Sequence, residues 1–128
     1  MDRPTFAEVL RRLREARGRS KTALAAAVGT DSGYLTRCEQ GERTPSTVEL
    51  VDRIARALDC SPAETDQLRV AAGFLPLALE KVGPDDPEIV LLARLLDPAA
   101  LPESARQAVR GVVRSLGHLL PRSPGAPD

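Results

Sequence analysis

Over the first seventy-odd residues the apolar positions fall at helical spacing, and each run has its own start and stop signals. Phe6, Val9, Leu10 and Leu13 share one face of a helix that begins at Thr5, and Thr5 with Glu8 has the spacing of a capping box. Gly18 stops that helix. Ser20 caps a second helix over 21–28, with Leu24 and Val28 on its apolar side, and Asp31 caps a third over 32–40, with Leu35 and Cys38 inward. Gly41 ends the third helix, and Glu42, Arg43, Thr44 and Pro45 form a loop. Ser46 and Glu49 have the spacing of a second capping box, for a helix that buries Leu50, Val51, Ile54 and Leu58. Ser61, Pro62 and Glu64 make a third start signal, with proline at the first helical position, for a fifth helix running to about Ala72.

Beyond Gly73 the pattern changes. Residues 76–82 suit a short helix, and the run 83–87 is a break. Asp86 caps a strongly apolar helix carrying Ile89, Val90, Leu91, Leu92, Leu95 and Leu96, which Asp97 and Pro98 interrupt. Pro102 opens a last helix with Ala105, Val109, Val112, Val113, Leu116, Leu119 and Leu120 on its apolar side. The end, 121–128, holds proline and serine with nothing to pack, and reads as a disordered tail. The whole is all-α, and a composition led by Ala, Leu, Arg and Glu favours the same class.

Composition narrows the function by exclusion. Three aromatic rings in 128 residues are too few for a base-stacking platform on single strands. The formal net charge is zero, yet residues 1–30 carry seven basic against three acidic groups, whereas 75–128 carry six against seven. A local basic face is what phosphate binding needs; Arg11 and Arg12 fit that face or an ordinary solvated helix surface equally. Cys38 and Cys60 have no histidine or second cysteine at metal spacing, so neither zinc nor a disulfide framework is predicted, and no cofactor is implied. The single histidine, His118, has no carboxylate pair, serine or cysteine partner or phosphate loop beside it, so an enzyme is not expected. No apolar leader or membrane-length run is visible, so the cytoplasm of a bacterium is the expected location.

The stretch 21–40 has the spacing of a helix-turn-helix: Leu24, Val28, Leu35 and Cys38 inward, Ala25 small at the crossing, and Gly29 at the corner. Around it stand Leu10 to Gly18, Ser20, Tyr34, Arg37, Glu39, Gly41, Pro45, Ser46, Ala57 and Leu58. On these residues 6–73 resemble the Xre-type helix-turn-helix domain, the five-helix fold shared with phage repressors and Cro proteins. The resemblance implies a DNA-binding domain over 1–74 and a transcriptional regulator, expected as a repressor. It implies that the third helix enters the major groove, with Ser32, Gly33, Thr36 and Arg37 on its outward side. Arg37 suits bidentate contact with guanine, or a phosphate clamp. Thr36 offers a methyl to thymine or a hydroxyl to phosphate. Gly33 departs from the usual polar residue there and costs the helix roughly 1 kcal/mol relative to alanine. Lys21 matches a position that reaches a phosphate or an outer base. Ser20 and Ser46 begin helices whose N-termini suit phosphate. Arg43 and Thr44 match backbone contacts, with Glu42 opposing them. Tyr34 matches a ring that packs at the helix start and lends its hydroxyl to phosphate, or that only packs. Arg14 and Glu39 match a structural ion pair between the first and third helices.

The two leucine-rich segments after residue 75 exceed what five helices need. Residues 75–120 are therefore expected to be a helical C-terminal segment, with Val109, Val112, Val113, Leu116 and Leu120 as the seam of a homodimer on double-stranded DNA. Packing on their own domain is the other way to bury them, and a regulatory protein partner at these helices a third. Two other functions suit the same fold: an antitoxin or protein-interaction regulator, and a nucleoid-type DNA-binding protein.

Overall fold

The computed structural model describes residues 3–121. All regular structure among them is helical: α1 Phe6–Ala16, α2 Lys21–Val28, α3 Ser32–Glu39, α4 Val48–Ala57, α5 Pro62–Ala71, α6 Leu77–Val82, α7 Pro87–Leu95 and α8 Glu103–Leu116, with a 3-10 turn at Gly117–Leu119. The chain forms two compact units, Met1–Lys81 and Val82–Asp128. The boundary expected after residue 74 therefore differs from the observed one by α6. Polar links hold α6 to the first unit: the Asp66 carboxylate accepts from the Leu77 N–H at 3.1 Å, and Arg69 reaches Glu80 at 3.1 Å.

Local chemistry accounts for most helix ends. Thr5 and Ser61 each take part in a complete capping box, and Ser20, Asp31 and Asp86 cap α2, α3 and α7 with their side chains. One expected cap is corrected. The N-cap of α4 is Thr47, whose hydroxyl accepts from the Leu50 N–H at 3.3 Å; Ser46 lies in the loop before it, and no Ser46–Glu49 capping box forms. Buried Pro45 anchors that loop, and α4 begins three residues later at Val48. A second difference lies at the end of α8. The apolar pattern continues to Leu120, but the α-helix stops at Leu116. Gly117 is a poor helix former, and the Ser115 hydroxyl donates to the Val112 carbonyl just before it.

The first unit has one core. Leu10 of α1, Leu24 of α2, Leu35 and Cys38 of α3, Val51 and Ile54 of α4, Leu58 at the C-terminal cap of α4, and Leu68 of α5 have no meaningful access to solvent. α3 packs on α1 and α2, α4 on α2 and α5, and α1 on α5, so α3 is supported on one side only. Its other side is left to solvent, and that placement is what positions the candidate site. In the second unit no described residue is fully buried. The expected tail, 121–128, lies outside the described residues except for Pro121.

Candidate nucleic-acid interface

The corner between α2 and α3 sets the direction of α3. Gly29 adopts φ +88°, a left-handed conformation that side chains disfavour, and its N–H and that of Thr30 both donate to the Ala25 carbonyl, at 2.9 and 3.0 Å. Arg53 of α4 adds a stake the sequence reading did not find. Its Nη1 donates to the Val28 carbonyl at 3.2 Å, where the end of α2 carries partial negative charge.

A buried ion pair fastens α3 from behind. Arg14 of α1 meets Glu39 through two parallel bonds, Nε to Oε2 at 2.6 Å and Nη2 to Oε1 at 2.9 Å, and its Nη1 donates to the Arg19 carbonyl at 2.9 Å. Burial alone would raise the Glu39 carboxyl. The hydrogen bond and charge of Arg14, with Arg11 at 3.4 Å and the field of Lys21, outweigh it and hold the group below the usual carboxylate range. No buried side-chain nitrogen or oxygen among the described residues lacks a partner.

The front of α3 is assembled from the residues between these anchors. Ser32 and Arg37 are exposed, Gly33 and Thr36 half-covered, while Leu35, Cys38 and Glu39 turn inward. The loop after α3 folds onto the same end, with the N–H groups of Glu42 and Arg43 donating to the Arg37 carbonyl at 2.9 and 3.3 Å. Arg43 and Thr44 are exposed there. Tyr34 is half-buried against the core; burial and the neighbouring Cys38 thiol push its phenol up to about 12, against the opposing charges of Arg43 and Arg37. The structure thus brings Tyr34, Arg37 and Arg43 together. Lys21, partly exposed, stands at the first position of α2. Ser46 is exposed but begins no helix, so the helix start attributed to it belongs to Thr47.

The basic excess of the N-terminal region is not one face. Arg12 donates to Gln67 at 2.7 Å and Arg17 pairs with Glu64, both toward α5, while Arg14 is turned inward. Among the described residues, Lys21, Arg37 and Arg43 have no carboxylate within ion-pair distance. Arg69 is the other group the sequence reading missed. It is 5% exposed and holds Asp52 bidentately at 2.9 and 2.6 Å, away from α3.

The helix-turn-helix domain family matches this chain over residues 5–68, half its length. The chain belongs to that family. Membership points to a DNA-binding regulator. Among curated proteins and solved structures, nothing matches the chain. No helix of the described residues is long and apolar enough to cross a membrane, and none of their His, Cys, Asp and Glu side chains group as a metal site would.

Proposed function

We propose that this chain is a sequence-specific double-stranded DNA-binding transcriptional regulator of the Xre type, a repressor that works as a homodimer. The observation that carries the reading is the outward face of α3, where Arg37 stands exposed and unpaired on a helix locked from behind by Arg14 and Glu39. Arg37 reads a base edge in the major groove. Ser32, Thr36, Tyr34 and the helix start at Lys21 follow the flanking phosphates, as do Arg43, Thr44 and Ser46. Val109, Val112, Val113, Leu116 and Leu120 join two copies so that two half-sites about one helical turn apart are held at once.

One observation supports a second reading. Val112, Val113 and Leu116 of α8, with Leu119 and Leu120 of the following turn, are exposed, which suits a protein partner of the kind an antitoxin or anti-repressor engages.

Selection of bound sequences from random duplexes, followed by footprinting, tests the main reading, with a two-fold symmetric site as the expected result. Arg37→Ala reduces the preference for that site over random duplex by about tenfold. Lys21→Ala weakens binding to both and lowers the salt slope by about one. Absence of any selected sequence, or an unchanged preference in Arg37→Ala, overturns the base-reading assignment.

A further inference from the structure

Gly33 has an ordinary right-handed helical backbone, so no φ constraint explains a glycine near the start of α3. The space around it does. A Cβ at this position would stand 3.4 Å from Arg37 Nη1 and 3.1 Å from Asp31 Oδ1. Arg37 is four residues on, one turn along the same face, and its long side chain runs back toward the helix N-terminus as helical side chains do. The guanidinium therefore occupies the track that a side chain at 33 would fill. Gly33 is only half-exposed although it has no side chain of its own, in keeping with that cover. Asp31 leaves little room on the other flank, because its Oδ1 is held by the Tyr34 N–H at 2.6 Å as the cap of α3.

We propose that Gly33 is a positioning residue for Arg37: by omitting a side chain it lets the guanidinium lie back along the start of α3, so that each half-site is read through one guanine by Arg37 and not through position 33. This rests on the proposed reading of duplex DNA by α3. It gives the operator a definite feature, one obligatory G·C pair per half-site beside a pair the helix leaves unread. Steric demand at position 33 then decides specificity. Alanine brings only the Cβ, at the margin of ordinary contact with Arg37 although tight against Asp31 Oδ1 at 3.1 Å; glutamine adds the same Cβ and extends into the guanidinium's track.

The experiment is selection from random duplexes with the full chain as wild type, Gly33→Ala, Gly33→Gln and Arg37→Ala, with thermal unfolding of each. Wild type is expected to prefer guanine at one position of the half-site by about tenfold or more, the range of a good bidentate contact. Arg37→Ala loses that preference. Gly33→Ala keeps it within about threefold, and its unfolding temperature sets the reference for a Cβ beside Asp31, where better helix propensity opposes crowding of the cap. Gly33→Gln unfolds close to Gly33→Ala, because both add the same Cβ, yet its guanine preference drops about tenfold. A glycine of purely structural significance predicts the same unfolding temperatures with the preference intact in both variants. Retention of the full guanine preference by Gly33→Gln therefore overturns the positioning role while leaving DNA reading in place. A wild type that selects no sequence, or an Arg37→Ala variant that still prefers guanine, overturns the reading beneath it.

Discussion

Among the described residues Glu39 and Arg69 are the buried charged groups, and each is held by a partner that neutralises it. The Glu39 side chain has no access to solvent and that of Arg14 very little, so their pairing works at low dielectric, where a broken pair is costly because the remaining charge is stranded. Glu39→Gln keeps the shape and a hydrogen-bond acceptor but leaves Arg14 uncompensated. It is expected to lower stability at pH 7 by about 3 kcal/mol, the low end for a buried pair given the residual access at Arg14. The pH dependence follows from the direction of the shift. The folded carboxyl titrates below its unfolded value, so its stabilisation is fully present above the unfolded pKa of about 4.3 and is lost as pH falls through the folded value. The gap between wild type and Glu39→Gln in urea unfolding should therefore be constant from pH 7 to about 5 and close below about 4. A gap that does not close would show that the lost stability comes from packing rather than charge. The Arg14–Glu39 contact was legible only through family resemblance, since nothing in the spacing of two residues 25 apart dictates it. Arg69 carried no comparable signal. It follows Leu68 in a helix whose pattern gives an arginine no inward place, and its acceptors lie 17 residues before it and 6 and 11 after it, so its burial is decided by tertiary structure alone.

At the scale of elements the sequence was most readable where the physics is local. A hydroxyl or carboxylate cap closes its hydrogen bond within three residues, and Thr5, Ser20, Asp31, Ser61 and Asp86 all could be located that way. The start of α4 shows where this fails. Ser46 and Thr47 are both competent caps, and Glu49 lies three residues after Ser46, so local chemistry favoured Ser46; the path of the loop past buried Pro45 decided for Thr47. The two assignments separate in experiment. Thr47→Ala should cost the first unit about 1 kcal/mol, the usual value of a lost N-cap, whereas Ser46→Ala should fall within about 0.5 kcal/mol of wild type. Tyr34 is a selective probe for this measurement, being the chain's single tyrosine, with no tryptophan beside it, and half-buried in the first unit. Its fluorescence in urea follows that unit without contribution from α7 or α8. Equal effects from the two variants would mean that the start of α4 is shared between both hydroxyls. The end of α8 follows the same logic in reverse, because apolar periodicity runs on through Leu119 and Leu120 while backbone propensity fails at Gly117. Leu120 thus belongs to the proposed seam from a position beyond the helix.

For the whole molecule the unresolved account is apolar surface. The first unit hides most of its large aliphatic side chains in one core, leaving Val70, Leu75 and Leu77 partly exposed, whereas Val112, Leu116, Leu119 and Leu120 of the second unit are 62, 52, 72 and 75% exposed. Val113, beside Leu92 and Leu96, lines a small cavity of about 130 Å³ that uses only part of this surface. An exposed stripe of this kind is unfavourable in water, and a second copy of the same stripe is the partner always available at equal concentration. Charge does not oppose such pairing, since residues 75–128 carry six basic and seven acidic groups. Removal of everything after Asp97 deletes α8 and the proposed seam while leaving α1 to α5 untouched. The truncated chain is expected to be a monomer by light scattering where the full chain is a dimer. On DNA the consequence follows from effective concentration: a dimer pays for its second half-site encounter as an intramolecular step, which is worth a factor of about 100 or more. Truncation should therefore weaken binding to a two-half-site duplex by at least that factor and leave binding to an isolated half-site within about twofold. If instead the truncated chain remains dimeric, the seam lies outside α8, and its apolar face is left to a different protein, which is the outcome the antitoxin-like reading requires.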